Sequence, residues 1–301
     1  MNTPGLPRLD TYTLRLFIAV AREGSIARAA QREHLAASAL SRRLADLERA
    51  LKVPLLVRSA RGVGLTEAGQ YLFDRGHRIE QELASLVQDM WAVSGAVTGS
   101  VRLFANPSAV VGFLPERLRA FCDRYPEVAV ELGEHRSREV LRACLDDRAD
   151  VGVAVAQDAV AGLDSWHFAD DPLIVLMPAG HALAKAARLK FRDVLGHGLV
   201  TIQSGGSLDQ LLREQAQSAR AALQPRVSVE SFDAACRMVE AGLGVAIVPT
   251  SAAAAFAGSA RFERRPLDEA WAPRELRLYA LRKQPRSRAV EALIELLQPG
   301  A

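Results

Sequence analysis

A change in the spacing of apolar residues across positions 94–99 constrains this 301-residue chain more than any other feature. Before those positions, apolar side chains recur every three or four residues, a spacing that indicates helices. After them, apolar runs such as Val151–Val155 alternate with amphipathic stretches such as Ser137–Leu145. This alternation predicts an α/β fold with largely parallel sheets. We therefore expect a chain that is α/β overall, with a helical N-terminal part.

Three short helices and a hairpin are predicted at the start of the chain. Residues 14–21 have helical apolar spacing, and Gly24 followed by Ser25 indicates a helix end and a new N-cap. A second helix is predicted to end near residue 33, and apolar steps of three and four residues predict a third over 39–51. Only a tight turn fits between the last two, which indicates a helix-turn-helix. Residues 53–65 predict a β hairpin, or wing, with two arginines at its tip.

A long helix is predicted to follow, capped by Thr66 and running to about Val93. At 1.5 Å per residue it would be about 42 Å long. Its apolar stripe has heptad spacing, with Gly69 and Gly76 at the early a positions. The stripe consists of Leu65, Leu72, Ile79, Leu83, Leu86, Met90 and Val93. Such a narrow stripe needs a partner, either a second copy of the helix or the helix's own domain.

Charge is distributed unevenly along the sequence. Residues 1–65 contain 11 Lys and Arg against 5 Asp and Glu, a formal charge of +6, whereas the remainder carries −3. A basic head on a mildly acidic body favours a polyanion as the partner of the head. The alternative is a solvated surface that happens to be basic.

Several classes of protein are disfavoured by the sequence. The first ten residues lack the apolar stretch of a signal peptide, and the uncharged segment 241–260 is too rich in Ala, Gly and Ser for a spanning helix. We therefore expect a cytoplasmic protein without membrane contact. The three cysteines form no CxxC pair and are predicted to be buried small apolar residues. They are Cys122, Cys144 and Cys236.

Enzyme activity is not predicted, and neither is a metal or a cofactor. The six histidines have no metal-ligand spacing, and the sequence contains no GxSxG, Walker or strand-linked GxGxxG motif. We expect no catalytic residue, no metal ligand and no cofactor site.

Residues 9–69 resemble the winged helix-turn-helix of LysR-type transcriptional regulators. The matching positions are Leu14, Phe17, 19–21, 24–26, 29–30, 39–42, 47–48 and the 65–69 signature Leu-Thr-Glu-Ala-Gly. Looser matches in register follow at 114–115, 125–126, 150–153, 181–184, 242–244 and 248–249. The resemblance therefore spans nearly the whole chain.

The resemblance implies three parts. Residues 1–65 would be an all-α winged helix-turn-helix that binds DNA, 66–94 a linker and dimerisation helix, and 95–301 an effector-binding domain. The last would have the two-lobed fold of periplasmic binding proteins. The first lobe would cover about 100–161 and 266–301, and the second about 162–265. A small-molecule effector would bind between the lobes.

The expected partner is double-stranded DNA bound by a homodimer formed through residues 66–93. Two copies of the head would contact two half-sites, which predicts an imperfect inverted repeat. The resemblance also implies homotetramers built through the C-terminal domains, and it leaves RNA polymerase as an optional further partner.

Two positions depart from the family pattern. The family has Ser or Thr followed by Gln at the start of the recognition helix, where this chain has Ala36 and Ala37. Loss of a side-chain cap costs a helix about 1 kcal/mol. Loss of Gln removes a group that hydrogen-bonds adenine and leaves only a methyl contact. Whether operator preference differs is therefore left open, while DNA binding is still expected.

The predicted DNA contacts fall into two groups. The first turns of the recognition helix would enter the major groove, and Arg42 would bind guanine, a contact worth about 1–3 kcal/mol of discrimination. The residues on this face are Ala37, Ser38, Ser41 and Arg42. Three further arginines would contact phosphates or a minor groove, namely Arg43, Arg58 and Arg61.

The predicted effector contacts centre on a turn between a strand and a helix. Glycine allows the backbone to approach a ligand, and a helix N-terminus favours an anion. Ser207 and Gln210 are also spaced as a capping box, so a capped turn with no ligand is the alternative. The family places effector contacts here and at two other loops. The expected residues are Asn106, Ser108, Ser137, Ser204, Gly205 and Ser207, and a small carboxylate would suit them.

Two other functions stay open at this stage. A regulator that signals through a protein partner, with no small effector, is compatible with the sequence. Ligand-dependent changes in a DNA footprint would separate the two kinds of regulator. A solute-binding protein for transport would explain the C-terminal lobes but not residues 9–93. The effector, the target genes and the sign of regulation are not encoded in recognisable motifs.

Overall fold

The computed structural model describes residues 9–59, 62–92, 97–157, 159–202, 206–254, 260–282 and 285–299. The chain forms two compact units, Met1–Met90 and Trp91–Ala301. We call them the head and the body. The expected domain limits at residues 65 and 94 remain predictions.

The head contains the predicted helix-turn-helix and hairpin. Its elements are α1 (Thr11–Glu23), α2 (Ile26–Arg32), α3 (Ala37–Leu51), β1 (Leu56–Ser59), β2 (Gly62–Leu65) and α4 (Glu67–Ala92). β1 and β2 pair antiparallel, as expected for a wing. Ser25 caps α2 as predicted, and Thr66 Oγ1 accepts the Gly69 backbone N–H at 2.9 Å near the start of α4.

The apolar stripe of α4 divides into two parts, which corrects the expectation of one continuous seam. Leu65 and Leu72 pack on the head's own core. Gly69 and Gly76 allow this approach: an added Cβ would lie 2.0 Å from the Leu55 carbonyl oxygen or 2.6 Å from Leu14 Cδ1. Farther along, four stripe residues are exposed, namely Ile79, Leu83, Leu86 and Met90. Val93 lies outside the described residues.

The body alternates strands and helices as predicted, with additional elements. Its strands are β3 (Gly99–Ala105), β4 (Val128–Glu134), β5 (Val151–Val155), β6 (Leu163–Asp170), β7 (Leu173–Pro178), β8 (Leu199–Ile202), β9 (Pro225–Val229), β10 (Ala246–Pro249), β11 (Phe262–Pro266) and β12 (Glu275–Leu281). Its helices are α5 (Pro107–Gly112), α6 (Leu114–Arg124), α7 (Ser137–Leu145), α8 (Phe191–Leu195), α9 (Ser207–Ser218), α10 (Phe232–Glu240), α11 (Thr250–Ala254) and α12 (Arg288–Leu297). Short α5 and α8 and strands β6 and β11 were not predicted.

The sheets are mixed, so the expectation of largely parallel sheets is wrong. The first lobe holds a five-stranded sheet in the order β4-β3-β5-β12-β6, in which β12 runs antiparallel to both of its neighbours. The second lobe holds an antiparallel sheet β10-β7-β11 and a parallel pair β8-β9. β7 is the first strand after the chain enters the second lobe, and β12 is the first after it returns, and each runs antiparallel to both of its neighbours.

The boundary between the lobes also differs from the expected position at residue 162. β6 pairs with β12, and Phe168 and Ala169 lie in the core of the first lobe. The core of the second lobe begins at Leu173 and includes Ala272. The chain therefore crosses near 170–173 and 272–275, where the Asp171 backbone N–H donates to the Arg274 carbonyl oxygen at 2.8 Å.

The cysteines only partly match the expectation of burial. Cys144 and Cys236 are buried, but Cys122 on α6 is exposed. Burial raises the pKa of Cys144 to about 12 and that of Cys236 to about 11, so both thiols stay protonated and unreactive at neutral pH.

Every helix in the described ranges is too short or too polar to span a bilayer. In the same ranges, His, Cys, Asp and Glu side chains form no group of three or more that could hold a metal ion.

Candidate functional site

The start of α3 presents the residues predicted to contact bases. Ala37, Ser38 and Arg42 are exposed, Ser41 is half-buried, and their spacing of three and four residues places them on one helix face. Ala36 has extended backbone (φ −70°, ψ 134°) and supplies no side-chain cap, because its methyl group cannot accept a hydrogen bond. The first turn of α3 therefore has backbone N–H groups available to an acceptor such as a phosphate.

Arg43 lies close to the start of α1. Its Nε donates to Thr13 Oγ1 at 2.7 Å, and its guanidinium lies 4.8 Å from the centre of the Tyr12 ring. Asp10, the N-cap of α1, lies 3.4 Å from the same guanidinium. Hydrogen bonds from Thr13 and the nearby Arg43 charge hold the pKa of the Asp10 carboxyl below its usual value. Arg43 is thus fixed in position beside the exposed face of α3.

Of the two wing arginines, Arg58 has only its backbone described, within β1, and Arg61 lies outside the described residues. The wing is attached to α3 through Glu48, which sequence analysis did not single out. Its carboxylate accepts the backbone N–H groups of Leu55 at 2.7 Å and Leu56 at 3.0 Å.

A cleft of about 630 Å³ separates the two lobes of the body. That size is typical of a small-molecule site. Its walls are the starts of α5 and α7 in the first lobe and of α9 and α10 in the second. The lining residues are Asn106, Pro107, Ser108, Val111, 134–137, Glu139, Ile202, 206–208, 230–233, Ala252 and Arg274. Four of the expected effector contacts therefore line one cleft, whereas Ser204 and Gly205 lie outside the described residues.

The polar groups of the first-lobe wall also have structural roles. Asn106 Oδ1 accepts the Ala109 N–H at 3.0 Å and caps α5, and Ser137 Oγ accepts the Val155 N–H at 3.2 Å. Both residues are buried. The Ser137 hydroxyl has a proton left to donate, so it can still bind an acceptor.

The capping box that the spacing of Ser207 and Gln210 allowed at the start of α9 does not form. Gly206 is the N-cap, and no side chain caps the helix there. Gln210 instead donates to Glu214 at 2.7 Å and accepts from Arg138 of α7 at 2.9 Å. The Arg138–Gln210 bond joins the two lobes, which a local sequence pattern could not indicate. Ser207 is exposed at the edge of the cleft.

Arg274 is a cleft residue that sequence analysis missed. Its side chain is only 9% exposed, and Nη2 donates to Ser108 Oγ at 3.0 Å and to Asp171 Oδ2 at 3.4 Å. Asp171 is fully buried and also accepts the N–H and the hydroxyl of Ser251. Burial lowers the pKa of the Arg274 guanidinium, and the Asp171 charge opposes that shift. No local signal identifies this arginine, because its neighbours come from distant parts of the chain.

Carboxylates outnumber cations in the lining of the cleft. The acidic lining residues are Glu134, Glu139, Glu230 and Asp233, and the arginines are Arg136 and Arg274. Glu139 accepts the Arg136 backbone N–H at 3.0 Å. The hydroxyl groups alone favoured an anionic ligand. The charge of this lining, in contrast, does not match a ligand that carries only negative charge.

Two family models match the chain. The model described as LysR substrate binding domain covers residues 94–301, and the model described as bacterial regulatory helix-turn-helix protein, lysR family, covers residues 12–70. Together they account for both the head and the body.

Curated relatives match over most of their length. A probable RuBisCO transcriptional regulator of Trichormus variabilis is 29% identical over 95% of this chain and 87% of that protein. The HTH-type transcriptional activator CmpR of Synechocystis is 25% identical over 79% of this chain and 78% of that protein.

Solved structures share the fold. Full-length CbnR in complex with its target DNA superposes with a TM-score of 0.71 at 22% identity, covering 96% of this chain and 99% of that chain. A full-length OxyR variant from Pseudomonas aeruginosa gives a TM-score of 0.74 at 22% identity, covering 96% and 95%. At this identity the likeness shows the fold.

Proposed function

The chain belongs to the LysR family of bacterial transcriptional regulators, and on that premise we propose how it recognises DNA and what controls it. Residues 1–65 bind an operator, 66–94 form the dimer, and 95–301 bind a small-molecule effector. The observation that carries the proposal is the exposed face at the uncapped start of α3, which leaves the side chains of Ala37, Ser38 and Arg42 exposed beside available backbone donors.

DNA recognition by this face combines specific and nonspecific contacts. Arg42 binds the O6 and N7 atoms of guanine, while Ser38 and Ser41 contact bases or phosphates and Ala37 offers a methyl contact. Arg43, Arg58 and Arg61 contact the sugar-phosphate backbone or a minor groove and supply affinity without base selection. Binding is therefore expected to weaken steeply as salt concentration rises.

The second half of α4 supports the proposed homodimer. Leu86 is 57% exposed and Met90 is 64% exposed, although both are large apolar residues on the same stripe. A second copy of α4 would remove this surface from water, which is favourable by about 25 cal/mol per Å². A twofold dimer places two heads on one duplex, so the operator is an imperfect inverted repeat. Tetramers would form through the bodies.

Control by a small effector that carries a carboxylate is proposed for the cleft. Its contacts would be Asn106, Ser108, Ser137, Ser204, Gly205 and Ser207, because helix starts and hydroxyl groups donate hydrogen bonds to an anion. A ligand shifts the protein only if it prefers one arrangement of the two lobes, and coupling energies of about 1–3 kcal/mol are typical. Closure of the lobes would then change the spacing or bend of the bound DNA.

Genome-wide mapping of binding sites followed by footprinting of the purified full chain tests the proposal. The expected result is protection of an inverted repeat whose footprint changes when compounds linked to the neighbouring genes are added. A footprint that responds to no small molecule but changes with a protein partner would favour the effector-independent regulator. Turnover of a compound by the protein would point to an enzyme. A chain that shows no preference for duplex DNA over other polyanions would overturn the proposal.

A further inference from the structure

The cleft contains a buried guanidinium whose hydrogen bonds are incomplete. Arg274 has five N–H donors, yet its partners are a neutral hydroxyl at 3.0 Å and a carboxylate at 3.4 Å, both on Nη2. Its Nε is buried and has no hydrogen-bond partner in the described ranges. Charge-assisted bonds to arginine are normally about 2.7–2.9 Å long. A buried cation held this loosely is costly unless another acceptor completes its shell.

The neighbouring acid does not depend on this arginine alone. Asp171 accepts the Ser251 backbone N–H at 2.9 Å and the Ser251 hydroxyl at 3.0 Å. It therefore keeps two good donors if the guanidinium turns towards the cleft. A planar guanidinium binds a carboxylate through two parallel hydrogen bonds, so the group that best completes Arg274 is a carboxylate.

The opposite wall of the cleft favours a positive group. Glu230 and Asp233 flank the N-cap of α10 and are exposed to the cleft. Neither side chain makes a hydrogen bond or an ion pair with the part of the chain that the structure describes, and the same holds for Glu134 on the first lobe. A ligand with only negative charge would be repelled by these carboxylates, whereas an ammonium group would be attracted.

We propose that the effector is a zwitterion of the amino-acid type, which has a carboxylate for Arg274 and Ser108 and an ammonium group for Glu230 and Asp233. This rests on the proposed function, namely that the cleft is the effector site. The side chain of the ligand would lie against the apolar lining residues Ile202 and Phe232. A cleft of about 630 Å³ has room for a small amino acid and its ordered water.

Arg274 lies at a crossing between the lobes, so a ligand that binds it would affect contacts at both crossings. The arginine lies where the chain returns to the first lobe, and its side chain contacts Ser108 of that lobe and Asp171 at the other crossing. A carboxylate that draws the guanidinium into the cleft would weaken one of these contacts. Ligand binding would therefore act directly on the segment about which the lobes move.

Calorimetric titration of the purified full chain with matched sets of three compounds tests the proposal. Each set holds one protein amino acid, the acid that lacks its amino group and the amine that lacks its carboxylate, for example leucine, 4-methylpentanoate and 3-methylbutylamine. We expect at least one amino acid to bind at least tenfold more tightly than both of its counterparts. Equal binding of the deaminated acid would overturn the zwitterion while leaving an anionic effector in place. No binding by any amino acid would also overturn it.

Variants test which residues bind the carboxylate and which bind the ammonium group of the ligand. Arg274→Gln is expected to weaken amino-acid binding at least tenfold, and Arg274→Lys less. Arg277→Gln, on the strand β12 that begins directly after Arg274 but outside the cleft lining, is the matched control and should bind normally. Asp233→Asn and Glu230→Gln should weaken the binding of the amino acid but strengthen the binding of the deaminated acid. Misfolding could not produce these opposite changes in affinity. If these two variants keep the wild-type selectivity for the amino acid over the deaminated acid, the proposal is overturned. If the wild-type chain does not bind DNA, the proposed function is overturned instead.

Discussion

The Glu48 carboxylate accepts a hydrogen bond from the Leu55 backbone N–H at 2.7 Å, which attaches the end of helix α3 to the wing. The same oxygen accepts the Leu56 N–H at 3.0 Å. Two backbone donors at the start of β1 thus depend on one side chain seven or eight residues away. The position of the wing relative to α3 is set by this carboxylate together with the packing of Leu55 in the head core.

Removal of the Glu48 carboxylate should therefore destabilise the head. Hydrogen bonds to charged groups contribute about 1.5–3 kcal/mol, so Glu48→Ala should lower the free energy of unfolding by that amount in urea titrations followed by circular dichroism. Asp46→Ala is the control: it removes only an exposed pair with Arg49 and should cost less than about 1 kcal/mol. Equal effects of the two substitutions would contradict the role given to Glu48.

A cap restored at the start of α3 should stabilise the head. Ala36 already has the extended backbone of an N-cap, so Ala36→Ser can supply its hydroxyl without moving the chain. We expect a gain of about 1 kcal/mol in the free energy of unfolding. The control is Ala39→Ser, an exposed position inside the same helix, which should give no gain. A gain at both positions would indicate a general effect of serine and not a cap.

A methyl group at position 69 should be poorly tolerated although alanine favours helices. The new Cβ would lie 2.0 Å from the Leu55 carbonyl oxygen, a backbone atom that cannot turn aside. Overpacking of this kind costs about 1–3 kcal/mol, more than the roughly 1 kcal/mol that alanine gains over glycine in a helix. Gly64→Ala is the control in the same unit, since its Cβ would meet only the Val57 oxygen at 4.0 Å. Thermal unfolding of both variants measures the difference, with a lower unfolding temperature expected for Gly69→Ala only. A Gly69→Ala protein as stable as the wild type would show that α4 does not pack this closely.

The stability of the head should depend on the ionisation of Asp10. Hydrogen bonds from Thr13 hold the pKa of this carboxyl below its usual value of 3.8 in the folded state. The stabilisation is therefore fully present above the unfolded value and is lost as the pH falls through the lower folded value. Asp10→Asn keeps a capping oxygen but cannot ionise, so its deficit relative to wild type should be larger at pH 5 than at pH 3. Urea titrations at the two pH values measure this, and a deficit independent of pH would contradict the assignment.

The parts of the fold that follow local patterns could be predicted. α7 and β5 have the predicted limits because amphipathic and apolar runs define them, and Ser25 and Thr66 cap helices as their positions indicated. β6 was missed because polar side chains interrupt its apolar residues, and it belongs to the first lobe only through its pairing with β12.

Features that depend on distant residues could not be predicted. The heptad spacing of α4 does not reveal that Gly69 and Gly76 serve contacts within the head. The serines of the cleft follow from local turn chemistry and family resemblance. Arg274 does not, because its surroundings bring together Ser108 and Asp171, 166 and 103 residues away.

DNA recognition by α3 is tested most directly by Arg42→Ala. Competition binding of the wild-type and variant full chains to an operator and to random duplex, at several salt concentrations, gives both affinities. We predict that the variant loses about 1–3 kcal/mol of discrimination, roughly 5- to 150-fold, while nonspecific binding persists and stays sensitive to salt. An unchanged preference for the operator in Arg42→Ala would show that α3 does not contact the bases through this face.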